Sequence, residues 1–252
     1  MNKLLEYLKS IREEKGNMPN IHATFALNWK SKNITHIEES LNIERTIVEK
    51  RGAQRYYYLI SLEEHNGRPI LISGRPDGIN LKFMDGKYYK VEIIEVKSSG
   101  ILSKIFKNNV ELDDLELQKI VCRQTLFSGL REQLIFYQYL FEKTSKYGLI
   151  NNVKKIELYG YVVLYLEGEE YLEQLDKVKK KIIDNLGKIG PFLSKFGVHM
   201  YGLSEINSIS MNKDKIYYFT IIVKVDYNKK VAIDYLKSLF SLLDRVEIVR
   251  DL

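Results

Sequence analysis

Gly74-Arg75-Pro76-Asp77-Gly78, followed across a short hairpin by Val91-Glu92-Ile93-Ile94-Glu95-Val96-Lys97, is the pair of segments on which the fold of this chain turns. The second segment is apolar and β-branched enough to be a buried central strand, in which residues two apart share a face. Glu95 and Lys97 therefore point the same way, and burying both needs a reason. A divalent cation supplies one, because hard oxygen ligands at a strand end hold Mg²⁺ or Mn²⁺ and Lys97 then faces a phosphate or the attacking water.

The turn between the two segments is Met84-Asp85-Gly86-Lys87. A two-residue Asp-Gly turn pairs Met84 with Lys87 and Asp77 with Ile94, which sets Asp77 and Glu95 on opposite faces. A three-residue loop with Gly86 in the left-handed position, or a bulge near Pro76, shifts the register by one and brings Asp77 opposite Glu95. The shifted register is expected. Pro76 favours it, since it donates no ladder hydrogen bond and holds Arg75 extended, loosening the pairing beside Asp77.

Pro76-Asp77 and Glu95-Val96-Lys97, eighteen positions apart from acid to acid, resemble the "PD" and "ExK" of the PD-(D/E)xK nuclease superfamily. Gln133-Leu134-Ile135-Phe136-Tyr137 is similar to the Q-x-x-x-Y helix motif of its RecB-like branch, which includes a CRISPR-associated exonuclease family. The resemblance covers residues 74 to 137 in the order that branch has. It implies hydrolysis of a phosphodiester by a metal-activated water. Asp77 and Glu95 would bind one or two Mg²⁺ or Mn²⁺ ions with the Val96 carbonyl as a further ligand. Lys97 would orient the nucleophile or stabilise the scissile phosphate, while Gln133 and Tyr137, with Arg75 beside Asp77, would position the nucleic acid.

Each residue also has a plainer reading. Asp77 before Gly78 is a turn former, Glu95 and Lys97 are a solvated pair on an open strand face, and Tyr137 packs in a helix core with Leu130, Leu134 and Phe141. All three must hold together to remove the nuclease reading.

The RecB-like branch often carries an upstream histidine ligand on a helix. Thr35-His36-Ile37-Glu38 has a capping-box pattern and puts His36 forty-one positions before Asp77. His36 is the candidate fourth ligand, with Glu38, Glu39 and Glu44 as alternatives. Many CRISPR-associated relatives bind an iron–sulfur cluster through four cysteines; this chain has only Cys122, so no cluster is expected. One cysteine also excludes an intrachain disulfide and agrees with a reducing cytoplasm.

With 252 residues and 45% hydrophobic content the chain can bury a sizeable core. No apolar run approaches the ~20 residues that span a bilayer, and the charged start Met1-Asn2-Lys3-Leu4-Leu5-Glu6 has no signal-peptide core. A cytoplasmic protein without membrane association is expected. The net charge of +6 permits nucleic-acid binding without demanding it. Clustering matters more, and the candidates are Lys50-Arg51 with Arg55, Arg75, Lys104 with Lys107, and Lys119 with Arg123, accompanied by Tyr56-Tyr57-Tyr58. The run from Lys177 to Lys181 reads as the solvated face of a helix.

Helices are expected over 2–15 and towards Leu41, strands over 45–50, 54–62, 70–75, 79–83 and 88–97, one helix over 115–143, and a returning strand over 156–166. This is the α/β order of a restriction-endonuclease-like core: a central mixed sheet flanked by helices, spanning residues 1–166. Residues 167–252 read as a C-terminal α+β extension, with a helix at 169–187, a break at Gly187, Gly190 and Pro191, strands at 206–211 and 216–225, a helix at 229–243 and a last strand at 246–249. It carries no catalytic motif and is expected to guide DNA, mediate self-association or bind a protein partner. The function expected is a Mg²⁺- or Mn²⁺-dependent deoxyribonuclease, an exonuclease on single-stranded DNA or duplex ends. The alternatives are an endonuclease of restriction or junction-resolving type, or a non-catalytic nucleic-acid-binding scaffold on the same fold.

Overall fold

Strand β5 (Tyr88–Ser99) is the line about which the chain is organised. In the computed structural model, which describes residues 47–51, 54–84, 88–108, 112–145, 153–211 and 214–250, Val91 and Ile93 enter the main core while Ile94 and Val96 enter a smaller cluster on the other face. Burial on both faces explains the nearly unbroken apolar run. Each such side chain, fully removed from water, stabilises the fold by about 1.5–3 kcal/mol.

Before β5 come β1 (Ile47–Arg51), β2 (Gln54–His65) and β3 (Arg68–Gly74), an antiparallel three-stranded sheet in that order, and then β4 (Gly78–Met84). After it come β6 (Val153–Glu167), β7 (Val198–Leu203), β8 (Asn207–Met211) and β9 (Asp214–Val225). The larger sheet has six strands in the order β4-β5-β6-β9-β7, with β8 also on β9. β5 and β6 are parallel and the other pairs antiparallel, so the sheet is mixed.

A parallel pair needs a long crossover. Here it is made by α1 (Ile101–Lys107), α2 (Asp114–Leu126) and α3 (Leu130–Ser145). Asp113 caps α2 by accepting from the Glu116 N–H at 2.7 Å. The single helix expected over 115–143 is two, because Gly129 takes φ +78° between them. Leu130 then lies against Gly160 of β6 so closely that a Cβ there would stand 2.6 Å from Leu130 Cδ2. The crossover is thereby seated on the sheet.

The chain beyond Glu167 adds strands to the same sheet. β9 pairs with β6 from Leu158↔Val225 to Glu167↔Ile216, and its Phe219, Ile221 and Val223 are fully buried in the main core. β6 is apolar on both faces and needs a partner along its second edge; β9 provides it. A 3₁₀ turn (Glu169–Tyr171), α4 (Leu172–Asp184) and α5 (Leu186–Ser194) connect the two strands, and α6 (Lys229–Arg250) follows β9.

Three further local expectations are corrected. Gly187, Gly190 and Pro191 lie within α5 instead of breaking it; buried Ile189 and Leu193 anchor that helix to the core, outweighing weak local propensity. No strand forms at 246–249, since α6 continues to Arg250 and lengthening an existing helix needs no new nucleus. In the lysine run, Lys179 is buried and paired with Glu205 at 2.7 Å, and Lys181 donates to the Leu112 carbonyl. Among the described residues, no helix is long and apolar enough to cross a membrane.

Candidate functional site

The loop across the hairpin carries three residues, since Met84 pairs with Tyr88 and Gly78 with Ile94. Continued by one position, that register sets Asp77 opposite Glu95, as the shifted alternative requires. Pro76 acts as expected: β3 ends at Gly74, β4 begins at Gly78, and Arg75, Pro76 and Asp77 lie outside both ladders.

At the ladder position opposite Val96 stands Pro76, which has no N–H. The Asp77 side chain fills part of the gap, its Oδ2 accepting from the Val96 N–H at 2.9 Å. A strand residue directs its N–H and C=O to the same side, so the Val96 carbonyl also turns towards Asp77. Glu95 shares the face of Val91 and Ile93, beneath the helices, and Lys97 donates to its Oε1 at 2.8 Å.

Burial raises the Glu95 carboxyl from its ordinary value of 4.5 to about 7, with the Asp77 charge adding to the rise and Lys97 opposing it. Like charges facing each other across strands are destabilising. Lys97 and the Asp77 backbone N–H both reach the Glu95 carboxylate and counter part of that rise.

Helix α3 lies over this pair. A Cβ at Gly74 would stand 2.7 Å from Leu140 and 3.0 Å from the Tyr137 ring, so the end of β3 passes directly against Tyr137. The Tyr137 hydroxyl is held in its neutral form chiefly by burial, then by the charges of Glu95 and Asp77, while Arg75 opposes the shift. The geometry thus brings Arg75, Asp77, Glu95, Val96, Lys97 and Tyr137 together. Gln133 is one turn before Tyr137 on the same helix face, and its Oε1 is buried without a hydrogen-bond partner.

The donor set suits a hard cation: two carboxylates with the Val96 carbonyl, all oxygen. Among the described residues there is no group of three or more His, Cys, Asp or Glu side chains able to hold a metal. Beyond Asp77 and Glu95, further ligands would be a carbonyl, water or substrate. His36, with Glu38, Glu39 and Glu44, lies outside the described residues, as do the helices expected at 2–15 and towards Leu41.

Tyr235 on α6 was not foreseeable as part of this neighbourhood. Its ring packs on Phe136 with centroids 5.0 Å apart, and its hydroxyl, raised chiefly by burial, also feels Glu132 and Glu95. In the sequence it is one more apolar position of an amphipathic helix. Of the basic candidates, Lys104, Lys107 and Arg123 are exposed and Lys119 pairs with Glu116 at 2.6 Å. The side chains of Lys50, Arg51, Arg55 and Tyr56-Tyr57-Tyr58 lie outside what the structure describes. Cys122 is half-buried on α2, its thiol pushed up by burial.

Comparison of the chain with protein-family models, with curated proteins and with solved structures finds no match.

Proposed function

We propose that this protein is a Mg²⁺- or Mn²⁺-dependent deoxyribonuclease built on a restriction-endonuclease-like core of the RecB-like type, acting as an exonuclease on single-stranded DNA or duplex ends. The observation that carries the reading is the hairpin register, which opposes Asp77 to Glu95 and leaves Lys97 and the Val96 carbonyl beside them. A cation bound by the two carboxylates would supply charge neutralisation at the phosphate and a lowered pKa for coordinated water.

The residues of the chain do the rest. Asp77 ties the open end of the β4–β5 ladder to Val96 and so fixes its own carboxylate. Lys97, held by Glu95, offers its remaining N–H donors to a phosphate oxygen or the attacking water. Tyr137 and Gln133 line the helix side, where the unpartnered Gln133 Oε1 can accept from a sugar or base. The exposed Arg75 guanidinium is suited to a flanking phosphate.

The test is digestion of end-labelled single-stranded, duplex and circular DNA, and of RNA, with Mg²⁺, Mn²⁺ or EDTA, beside Asp77→Ala and Lys97→Ala. The expected result is metal-dependent loss of nucleotides from ends, slowed at least about 10²-fold in both folded variants. Cleavage that persists in EDTA, or in both variants, would overturn the assignment; cleavage of closed circles would transfer it to an endonuclease.

A further inference from the structure

On the opposite face of the sheet a second polar group is built around Glu157. This carboxylate is only 5% exposed, and it accepts from Lys90 at 2.5 Å, Lys155 at 2.9 Å, Lys224 at 2.9 Å and the Tyr159 hydroxyl at 2.8 Å. The lysines come from β5, β6 and β9, brought side by side by the pairings Lys90↔Lys155 and Tyr159↔Lys224. Glu92, next to Glu157 across the parallel pair, takes Lys90 as well, at 3.2 Å.

One lysine neutralises one buried carboxylate. Three lysines against Glu157 and Glu92 leave a surplus positive charge, with the ammonium groups crowded onto a single acceptor. Lys155 and Lys224, 59% and 35% exposed, still turn N–H donors to solvent. Stability alone gives no reason to gather three like charges where one suffices.

An aromatic platform adjoins them. The β7–β9 register slips between Met200 and Gly202, making Tyr201 the bulged residue, and a bulge re-aims its side chain. Tyr201 is 66% exposed, and its ring meets that of Tyr159 edge-on at 5.4 Å. A cluster of ammonium donors beside an open ring matches the phosphate and base of one nucleotide, and adjacent strands set them at that scale. An acidic peptide would use the lysines but not the ring.

We propose that the sheet face formed by Lys90, Lys155, Lys224 and Tyr201 binds single-stranded nucleic acid, the lysines taking the backbone and Tyr201 stacking a base. Lys90 precedes Glu95 by about 17 Å along β5 at ~3.3 Å per residue, with the opposite facing. The surface therefore acts whether or not Asp77 and Glu95 are catalytic.

The experiment is fluorescence anisotropy of a labelled single-stranded oligonucleotide in EDTA across a salt series, with the whole chain, Lys155→Gln, the Lys155→Gln/Lys224→Gln double variant, Tyr201→Ala and Lys180→Gln. Thermal melts check folding. The double variant should bind at least about tenfold more weakly, with a log–log salt slope shallower by about 1.4, at ~0.7 per lost phosphate contact on a single strand. Tyr201→Ala should weaken binding about fivefold or more with the slope unchanged, and Lys180→Gln, at an exposed lysine of α4, should leave both near the unsubstituted protein. Binding and slope unchanged in the folded Lys155→Gln and double variants would overturn the proposal and leave the cluster a purely structural network. So would competition by inorganic pyrophosphate as strong, per phosphate, as that of unlabelled oligonucleotide, or tighter capture of anionic vesicles than of nucleic acid. None of these outcomes bears on cleavage at Asp77 and Glu95, so the two readings fail separately.

Discussion

Glu95 and Glu157 lie on neighbouring parallel strands of one sheet, and each is 5% exposed. Their charges are nonetheless governed in opposite directions. Burial pushes both carboxyls up; at Glu157 the hydrogen bonds from Lys90, Lys155, Lys224 and Tyr159 more than reverse that and hold it well below the carboxylate range. Glu95, which has Lys97 and the Asp77 backbone N–H against burial and the Asp77 charge, rises to about 7. Little surface exposure alone therefore does not set the direction: Glu95 lies deeper, beneath the helices, with few partners, while Glu157 lies nearer the sheet surface with four donors.

The largest effect that would break this contrast is on cleavage. Asp77→Asn and Lys97→Ala should each lower metal-dependent hydrolysis by about 10²–10³-fold, the scale of losing one electrostatic group at the reacting centre, while the fold is kept by circular dichroism. Wild-type rates in either folded variant would remove Asp77 or Lys97 from the chemistry.

Next in size is the fate of Glu157. Glu157→Ala leaves Lys90 with Glu92 and Lys155 and Lys224 to solvent and should destabilise the fold by about 1.5–3 kcal/mol in chemical denaturation, the scale of a lost charged hydrogen bond. Glu95→Gln should have the opposite sign above pH 7 without metal, because it removes a charge that burial and Asp77 disfavour.

The contrast is also readable as a pH dependence. The folded value of Glu95, about 7, lies above its ordinary 4.5. Between those values the folded state keeps a proton that the unfolded state has lost, so Glu95 makes stability fall as pH rises across that window. The drop should be at most about 3.5 kcal/mol, at ~1.4 kcal/mol per pH unit, and should vanish in Glu95→Gln. A melting curve independent of pH from 4.5 to 7 in the unsubstituted protein would contradict the buried, acid-facing setting of Glu95.

The smallest effect concerns α6. Tyr235→Phe keeps the ring on Phe136 and loses only the hydroxyl near Glu95; it should change the KM for a DNA substrate by a few-fold and leave melting unaltered within about 0.5 kcal/mol. An unchanged KM would confine Tyr235 to packing.

The strongly patterned parts of this architecture were legible in the sequence. The β4–β5 hairpin announced itself through β-branched content, the Asp-Gly turn and Pro76, and its register followed from asking which loop length puts both acids on one face. Other features depend on contacts that local pattern does not encode. Gly129 splits a helix whose periodicity runs through the break, and Ile189 with Leu193 hold a helix across two glycines and a proline. That β9 completes the sheet is decided by the open edge of β6, a property of the assembled fold. The Glu157 cluster did leave a trace, since Lys90-Val91-Glu92 and Lys155-Ile156-Glu157 repeat one alternation on two strands, but only their parallel pairing shows that the two meet.

The most direct measurement of the central idea is calorimetric titration of Mn²⁺ into the unsubstituted protein and into Asp77→Ala and Glu95→Gln at pH 8, beside thermal melts. Convergence of Asp77, Glu95 and the Val96 carbonyl predicts saturable binding and a raised melting temperature that both substitutions abolish. Absence of binding by the unsubstituted protein, or undiminished binding by the two variants, would contradict it.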